Sequence, residues 1–280
     1  MPATYAHWRF GCDCIEKMPT ELQDIIKQHR DIYDLGVHGP DILFYDLAHK
    51  DILNIGYKMH KEPARNFFEK SKDIYKESED KDATLAYLLG FLSHFVLDSS
   101  CHGYVERKKE FTGITHSLVE SQWDRHLIVS DKRVANLVDR AESLKPNKQN
   151  AKVISQFFPC NEKEILRSTK AQRMIITLLN CMYETKQKIL REVLFALGLN
   201  DYADLFIGFK EEETCEDSNL RLDKLKAKAI KLYPKLLNNY LAYLKGKEKL
   251  IKYFDHTFDQ WNDYKDIPIL SYEDELNYKV

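Results

Sequence analysis

The chain contains little glycine and proline. Ten glycines and eight prolines occur among 280 residues, about half of the ~12% that average usage gives. A β-sandwich or β-barrel needs a turn about every 8–12 residues, and such turns are built largely from these two residue types. The scarcity of both residues therefore argues against an all-β fold.

A long uninterrupted apolar run is also missing. The most apolar stretches, at 87–98 and 174–182, are interrupted and are shorter than the ~20 residues that span a bilayer. The first residues, MPATYAHWRF, lack a basic region followed by an apolar one, so they do not form a signal peptide as written. We therefore expect no transmembrane segment and a cytoplasmic location.

Neither sign of charge is in large excess, and no cysteine pair is typical of a metal or redox motif. Lys and Arg number 42 and Asp and Glu 44, for a formal net charge of -2. This balance gives no support for bulk attraction to nucleic acid or to an anionic membrane. The six cysteines include no Cys-x-x-Cys pair, and we expect them to be reduced.

Helical periodicity accounts for most of the sequence. It predicts helices at 20–35, 62–78 and 82–102, with Asp82 as the cap of the last, another helix from Thr115, and helical segments around 162–198, 219–245 and 247–262; residues 37–50 are predicted to be a loop. The expected fold is one all-α domain over residues 1–280. In the alternative, the helices of roughly 216–264 form an added layer.

Nine of the ten histidines lie within the first 126 residues, so the chemistry is expected in residues 1–125. The helix 82–102 is apolar around nearly its whole circumference and should be buried, yet it carries His94 and Asp98 four residues apart on one face, with His102 one turn later. A buried polar group without a partner costs about 2–7 kcal/mol. Either a divalent cation or a histidine–carboxylate hydrogen bond must satisfy these groups.

The four-residue spacing does not by itself identify a metal site. Random placement of ten histidines among 44 acidic residues gives roughly 1.6 such pairs. The sequence contains three: His94/Asp98, His102/Glu106 and His116/Glu120.

The order of the polar residues along the chain is more specific. His7, Gly39-Pro40-Asp41, His60, His94-x-x-x-Asp98, His102 and His116-x-x-x-Glu120 occur in that order. This order resembles the zinc-dependent phospholipase C family, whose site pattern is shared with fungal zinc single-strand nucleases. The resemblance spans residues 7–120. It implies the multi-helix bundle of that family and a metal-dependent phosphodiester hydrolase.

The resemblance implies a site of up to three Zn²⁺ ions. His60, His94 and Asp98 would hold the first ion; His102, His116 and Glu120 the second; and His7 the third, with Asp98 bridging and Asp41 as ligand or catalytic proton acceptor. Family members expose an amino-terminal Trp whose amine and carbonyl bind the third ion. This chain has no Trp there, and Pro2, after removal of Met1, is the expected substitute.

Several further residues have two interpretations. His38 is either a ligand or a donor that orients Asp41, or else an ordinary loop histidine. Tyr57, Tyr104 and Trp123 either line the substrate cleft or pack in the core. Glu106 is expected to be a solvated charge at a helix end.

The expected substrate is a phosphodiester, and the resemblance favours a phospholipid. Zinc-dependent hydrolysis of nucleic acids or nucleotides is the alternative within the same chemistry, although the sequence has no strong nucleic-acid signature. A non-catalytic helical scaffold protein that keeps the metal cluster for stability is the alternative from another functional class.

Overall fold

The computed structural model of the chain describes residues 4–259 and 261–280. Pro2 lies outside these residues. The described residues form α-helices and short 3-10 helices without a β-strand, which confirms the predicted all-α fold. The α-helices are α1 (Thr4–Ile15), α2 (Thr20–Gln28), α3 (Arg30–Gly36), α4 (Lys50–Lys61), α5 (Ala64–Glu77), α6 (Lys81–Thr112), α7 (His116–Ser130), α8 (Lys148–Ser155), α9 (Glu162–Leu179), α10 (Glu184–Ala196), α11 (Asn200–Ala203), α12 (Glu216–Leu244) and α13 (Tyr272–Asn277).

Helix α6 forms the centre of the bundle. Residues 83–99 are all buried, and α1, α3, α5 and α12 pack around the helix. Asp80, rather than the predicted Asp82, caps it by accepting a hydrogen bond from the N–H of Ala83, and Gly113 ends it in the left-handed conformation. By length and composition α6 could cross a membrane, but 94% of its apolar window is buried inside the protein. The apolar surface of α6 is therefore covered by other helices.

Two glycines allow α3 and α6 to pack unusually closely. A Cβ atom on Gly36 would lie 2.5 Å from the carbonyl oxygen of Tyr87, and one on Gly90 would lie 2.4 Å from the carbonyl oxygen of Tyr33. Only glycine fits at such distances. The crossing brings the segment after α3 against α6 one turn before His94.

The predicted loop at 37–50 contains a 3-10 helix at Gly39–Tyr45, all of it buried. Pro40 lies at the start of this helix, where its missing N–H leaves no hydrogen bond unmade. The helix packs against α4 and α9, so a segment rich in turn residues is ordered by tertiary contacts.

Three predicted helices differ from the structure. Residues 20–35 form two helices because the backbone turns at His29, where φ is -117° and ψ is 36°. Residues 162–198 are also two helices, α9 and α10. The helix predicted at 247–262 is absent in its described part, which contains a 3-10 helix at Lys252–Asp255 and the first residues of another at Trp261–Asp266.

The apolar residues of 247–259 pack without forming an α-helix. Phe254 and Phe258 are fully buried, and the aromatic ring of Phe254 packs against those of Phe68 and Phe95. This segment therefore lies across the bundle as an irregular strap that covers α5 and α6.

Candidate metal centre

The eight predicted ligands come from five elements that meet around α6. They are His7 on α1, Asp41 on the 3-10 helix 39–45, His60 on α4, His94, Asp98 and His102 on α6, and His116 and Glu120 on α7. Seven of the side chains are at most 11% exposed, and that of His116 is 18% exposed. The site is therefore largely buried, and His116 is its most accessible member.

Asp98 lies at the centre of these residues, close to four histidines. Its Oδ1 atom is 3.1 Å from His7 Nε2 and 3.6 Å from His102 Nε2. Its Oδ2 atom is 2.9 Å from His94 Nε2 and 3.8 Å from His60 Nε2. A carboxylate with two histidines on each oxygen is placed to bridge metal ions.

The ligand atoms of His7, Asp41, His94 and Asp98 form one group, all within 4.8 Å of one another. The rings of His7 and His94 stack with their centroids 4.5 Å apart. His60 contacts this group through Asp41, since its Nε2 atom is 2.8 Å from Asp41 Oδ1. The structure thus brings together the residues predicted for the first and third ions, with His60 nearer to Asp41 than to Asp98.

The second group is formed by His102, His116 and Glu120. Glu120 Oε1 lies 3.0 Å from His116 Nε2 and 3.4 Å from His102 Nε2. These are the three residues that the sequence resemblance assigns to the second ion. Thr115 caps α7 by accepting a hydrogen bond from the N–H of Leu118, which fixes the turn that carries His116.

Hydrogen bonds at the opposite ring nitrogens orient two of the histidines. His60 Nδ1 donates to the carbonyl oxygen of Gly56 at 2.8 Å, and His116 Nδ1 donates to Glu106 Oε1 at 2.6 Å. Both acceptors take the Nδ1 proton, so Nε2 of each ring faces the centre and binds a metal ion once its own proton has left, the arrangement that metal-binding histidines favour. The expectation that Glu106 is solvated is wrong, because Glu106 is buried against α7.

Asp259 also faces a predicted ligand, and the sequence analysis missed it. Its Oδ1 atom is 3.5 Å from His102 Nδ1, and its backbone N–H donates to the carbonyl oxygen of His60. Next to it, the ring of Phe258 packs 5.6 Å from His60 and 5.8 Å from His94. These contacts join residues more than 150 positions apart, and no local pattern in the sequence indicates them.

The charges of the site stabilise one another. Burial by itself would raise the pKa of Asp98, but His102, His94 and His7 outweigh it and hold that pKa well below its usual value. Burial would lower the pKa of His102, but Asp98 and Asp259 raise it well above normal. Without bound cations, protons on the histidines supply the positive charge that the carboxylates require.

The same balance acts on the neighbouring pair. Burial opposes the ionised form of Asp41, whereas His94 and His60 favour it, and the net result is a lowered pKa. For His60, burial lowers the pKa, but hydrogen bonding and charge from Asp41 raise it by more. Asp41 is therefore a carboxylate at neutral pH.

Several buried ligand atoms lack hydrogen bonds, which fits a metal centre. Neither ring nitrogen of His94 has a hydrogen-bond partner, although Nε2 lies 2.9 Å from Asp98 Oδ2. Asp98 Oδ2 and His7 Nδ1 are likewise without partners. Nitrogen and carboxylate oxygen atoms that converge without hydrogen-bond geometry are suited to binding a divalent cation, and this donor set suits zinc.

His38 is fully buried rather than an ordinary loop residue, and neither of its ring nitrogens has a hydrogen-bond partner. It therefore does not orient Asp41 by a hydrogen bond. Burial, reinforced by the charge of His7, lowers the pKa of His38 to about 3, so the ring is neutral. Its nitrogens are not among the grouped ligand atoms.

The three aromatic candidates have different positions. Tyr104 is buried, with the guanidinium of Arg221 5.0 Å from its ring centroid. Trp123 is also buried and donates its indole N–H to Asp223. Both are packing residues. Tyr57 is 50% exposed and packs against Phe44, so it remains a candidate for contact with a ligand.

Comparison with known proteins supports the geometric evidence. No significant match is found among curated proteins or among solved structures. The sequence model of the family described as zinc-dependent phospholipase C matches residues 6–196, a range that includes all eight predicted ligands and more than half of the chain. The chain therefore belongs to the zinc-dependent phospholipase C family.

Proposed function

We propose that this protein is a phospholipase C-type hydrolase that cleaves phosphodiesters at a centre of three zinc ions. The observation that carries the proposal is the position of Asp98, whose two oxygens face His7, His102, His94 and His60 inside a buried site. A purely structural histidine–carboxylate pair would not need four imidazoles around one carboxylate.

We assign the ligands in three sets. His102, His116 and Glu120 hold one ion; His60, His94 and Asp98 hold a second; and His7 and Asp41 hold the third, with Asp98 shared. Each set has at most three protein groups, which leaves coordination positions for water and substrate, as in catalytic zinc sites.

Bound zinc would polarise the phosphoryl group and lower the pKa of a bound water toward neutrality. Asp41 is the residue that we assign to proton transfer. It is ionised because His94 and His60 hold its pKa below normal despite burial. Its Oδ1 atom faces His60 at 2.8 Å and its Oδ2 atom faces His94 at 3.9 Å, so the carboxylate is fixed in place to accept a proton from the attacking water.

The rest of the site positions these groups and excludes bulk water. Phe44 and Phe258 pack against His60, and the 18% exposure of the His116 side chain marks the accessible side. The family assignment favours a phospholipid as the substrate, with hydrolysis on the glycerol side of the phosphate as the reaction class.

The test is hydrolysis of a chromogenic p-nitrophenyl phosphodiester by zinc-loaded protein. We expect the His94→Ala variant to lose about 100-fold or more of the rate, because second-shell changes alone cost 10–100-fold. The matched control is His126→Ala, which removes from α7 a partly exposed histidine that pairs with Asp223 on α12 and should leave the rate unchanged. Wild-type protein that binds zinc and hydrolyses neither this compound nor phospholipid would contradict the proposal and favour the scaffold alternative.

A further inference from the structure

The ring of His102 presents one nitrogen to the metal centre and the other to a distant part of the chain. Its Nε2 atom faces Glu120 Oε1 at 3.4 Å and Asp98 Oδ1 at 3.6 Å. Its Nδ1 atom faces Asp259 Oδ1 at 3.5 Å. The imidazole therefore has carboxylates on both sides, and its Nε2 side is the one that belongs to the centre.

Zinc binding determines where the proton of this ring must lie. A metal ion binds a neutral imidazole through the ring nitrogen that carries no proton. When Nε2 of His102 binds the ion that it shares with His116 and Glu120, the remaining proton has to stay on Nδ1. The ring then needs a hydrogen-bond acceptor on the side where Asp259 lies, because a buried donor without a partner is destabilising.

That acceptor is close to hand but does not yet make the hydrogen bond. His102 Nδ1 is buried and has no hydrogen-bond partner among the residues that the structure describes. Its distance of 3.5 Å from Asp259 Oδ1 exceeds the roughly 2.7–3.2 Å of an N–H···O hydrogen bond. A movement of about 0.5 Å would therefore be enough to form the bond.

The other histidine of the same ligand set already has the complete arrangement. His116 Nε2 faces Glu120 Oε1 at 3.0 Å, and His116 Nδ1 donates to Glu106 Oε1 at 2.6 Å. Both imidazoles assigned to this ion thus have Glu120 at the inner nitrogen and a further carboxylate at the outer nitrogen. An outer carboxylate fixes the orientation of a ligating imidazole and makes its inner nitrogen more basic.

Asp259 belongs to a segment that is itself packed on the metal centre. Its backbone N–H donates to the carbonyl oxygen of His60, and the ring of the adjoining Phe258 packs 5.8 Å from that of His94. The Asp259 side chain is only 16% exposed. The match to the family model ends at residue 196, so the family assignment does not account for this residue.

We propose that Asp259 is a positioning residue of the metal centre. In the zinc-loaded protein its carboxylate accepts a hydrogen bond from His102 Nδ1 and orients the ring toward the ion assigned to His102, His116 and Glu120. The inference rests on the proposed function because it takes that ion to be bound, but it concerns zinc affinity rather than hydrolysis. In the competing interpretation, Asp259 only anchors the strap at 247–259.

The test measures zinc affinity by competition with a chromophoric chelator in Asp259→Ala, Asp259→Asn and the control Asp255→Ala. Asp255 lies on the same strap, where its side chain is 47% exposed and pairs with Arg65 on α5. Its removal loosens the strap without removing a group that faces His102. The melting temperature of each metal-free protein is measured alongside.

We expect Asp259→Ala to bind the ion of His102, His116 and Glu120 about 10–100-fold more weakly, the usual loss when the outer partner of a ligating histidine is removed. Asp259→Asn should lie between this variant and the wild type. Its amide oxygen still accepts the N–H, but without the charge that strengthens such a bond. Asp255→Ala should keep the wild-type zinc affinity, even where its melting temperature falls.

Variants of His116 show which ion is affected. Because His116→Ala removes a ligand of the same ion, adding Asp259→Ala to it should leave the affinity for the remaining ions unchanged. A further loss of zinc in this double variant would overturn the positioning role, since Asp259 would then act on the other ions through the strap.

Wild-type zinc affinity in Asp259→Ala would also overturn the proposal, and if that variant does not fold, wild-type affinity in Asp259→Asn would do so. Asp259→Asn that binds zinc as weakly as Asp259→Ala would contradict the assigned hydrogen bond. Failure of the proposed function has a different signature. Wild-type protein that binds zinc without hydrolysing a phosphodiester, while Asp259→Ala still weakens zinc binding, would contradict that function and support the positioning role.

Discussion

At the scale of single residues, Gly39 lies so close to His94 that no side chain fits between them. Gly39 has a φ of +49°, and a Cβ atom there would lie 2.1 Å from His94 Cδ2. The glycine therefore allows the 3-10 helix that carries Asp41 to lie directly against the imidazole. The lack of space excludes any other residue, and the positive φ would add strain to an L side chain there.

We predict that Gly39→Ala displaces His94 and lowers both zinc content and stability, with a loss of about 1–3 kcal/mol from backbone strain alone. The control is Gly113→Ala, where φ is +76° but no atom lies within 4 Å of the added Cβ. That variant should lose stability and keep its zinc. Metal analysis and denaturant unfolding measure the two effects, and normal zinc content in Gly39→Ala would contradict the assigned role of His94.

Glu106 shows that the position of a residue near the end of a helix does not predict whether its side chain is solvated. Its four-residue spacing from His102 is correct for a helical pair, but the side chain instead accepts a hydrogen bond from His116 on the next helix. Whether a residue at this position is solvated depends on how α7 packs on α6, which spacing along one helix does not determine.

At the scale of helices, α1 is held in place by a carboxylate on α7. Asp124 is fully buried and accepts hydrogen bonds from the backbone N–H groups of Tyr5 at 3.1 Å and Ala6 at 2.8 Å. Burial raises the pKa of Asp124 to about 6 although Arg140 opposes the shift. The first turn of α1, which presents His7 to the centre, thus depends on a residue far along the chain.

Replacement of this carboxylate tests how far the third ion depends on α1. We predict that Asp124→Ala destabilises the fold by about 1–3 kcal/mol for each unsatisfied buried N–H group and removes the ion assigned to His7, while the ion of His102, His116 and Glu120 remains. The control is Asp131→Ala, which removes half-exposed contacts to Tyr5 and Arg9 on the same helix. Zinc stoichiometry is the measurement, and an unchanged value in Asp124→Ala would separate His7 from the position of α1.

The strap at 247–259 is the element that the periodicity of the sequence predicts least well. Its apolar spacing is compatible with a helix, but Phe254 and Phe258 enter the core while the backbone follows the surface of α5 and α6. Only this course brings Asp259 to within 3.5 Å of His102. Tertiary burial overrides local helical preference here.

For the whole molecule, bound zinc should affect stability in a pH-dependent way. The pKa values of His7, His60 and His102 are raised in the metal-free fold, where burial opposes the shift and neighbouring carboxylates cause it. The protonated histidines therefore stabilise the metal-free fold below their unfolded pKa of ~6.5, and that contribution is lost as the pH rises through the folded values. Zinc requires the neutral rings, so the metal-bound fold has the opposite dependence.

We predict that chelator lowers the melting temperature strongly at pH 8 and progressively less as the pH falls below ~6.5. Zinc binding near pH 7 should also release protons, which calorimetry in buffers of different ionisation enthalpy measures. His94→Ala/His116→Ala protein provides the control, since chelator should not affect it. A chelator effect that grows on acidification would contradict the raised pKa values.

The sequence by itself determined the all-α fold and the order of the eight polar residues. It also determined the pairs His94/Asp98 and His116/Glu120, because a helix places residues four apart on one face whatever surrounds it. The tertiary structure decided the rest. The approach of His7, His60 and Asp259 to α6 depends on helix packing across long stretches of chain. The exposure of Ile189 and Val193 on α10 was decided in the same way, since local spacing shows that a helix is apolar but not which of its sides another helix will cover.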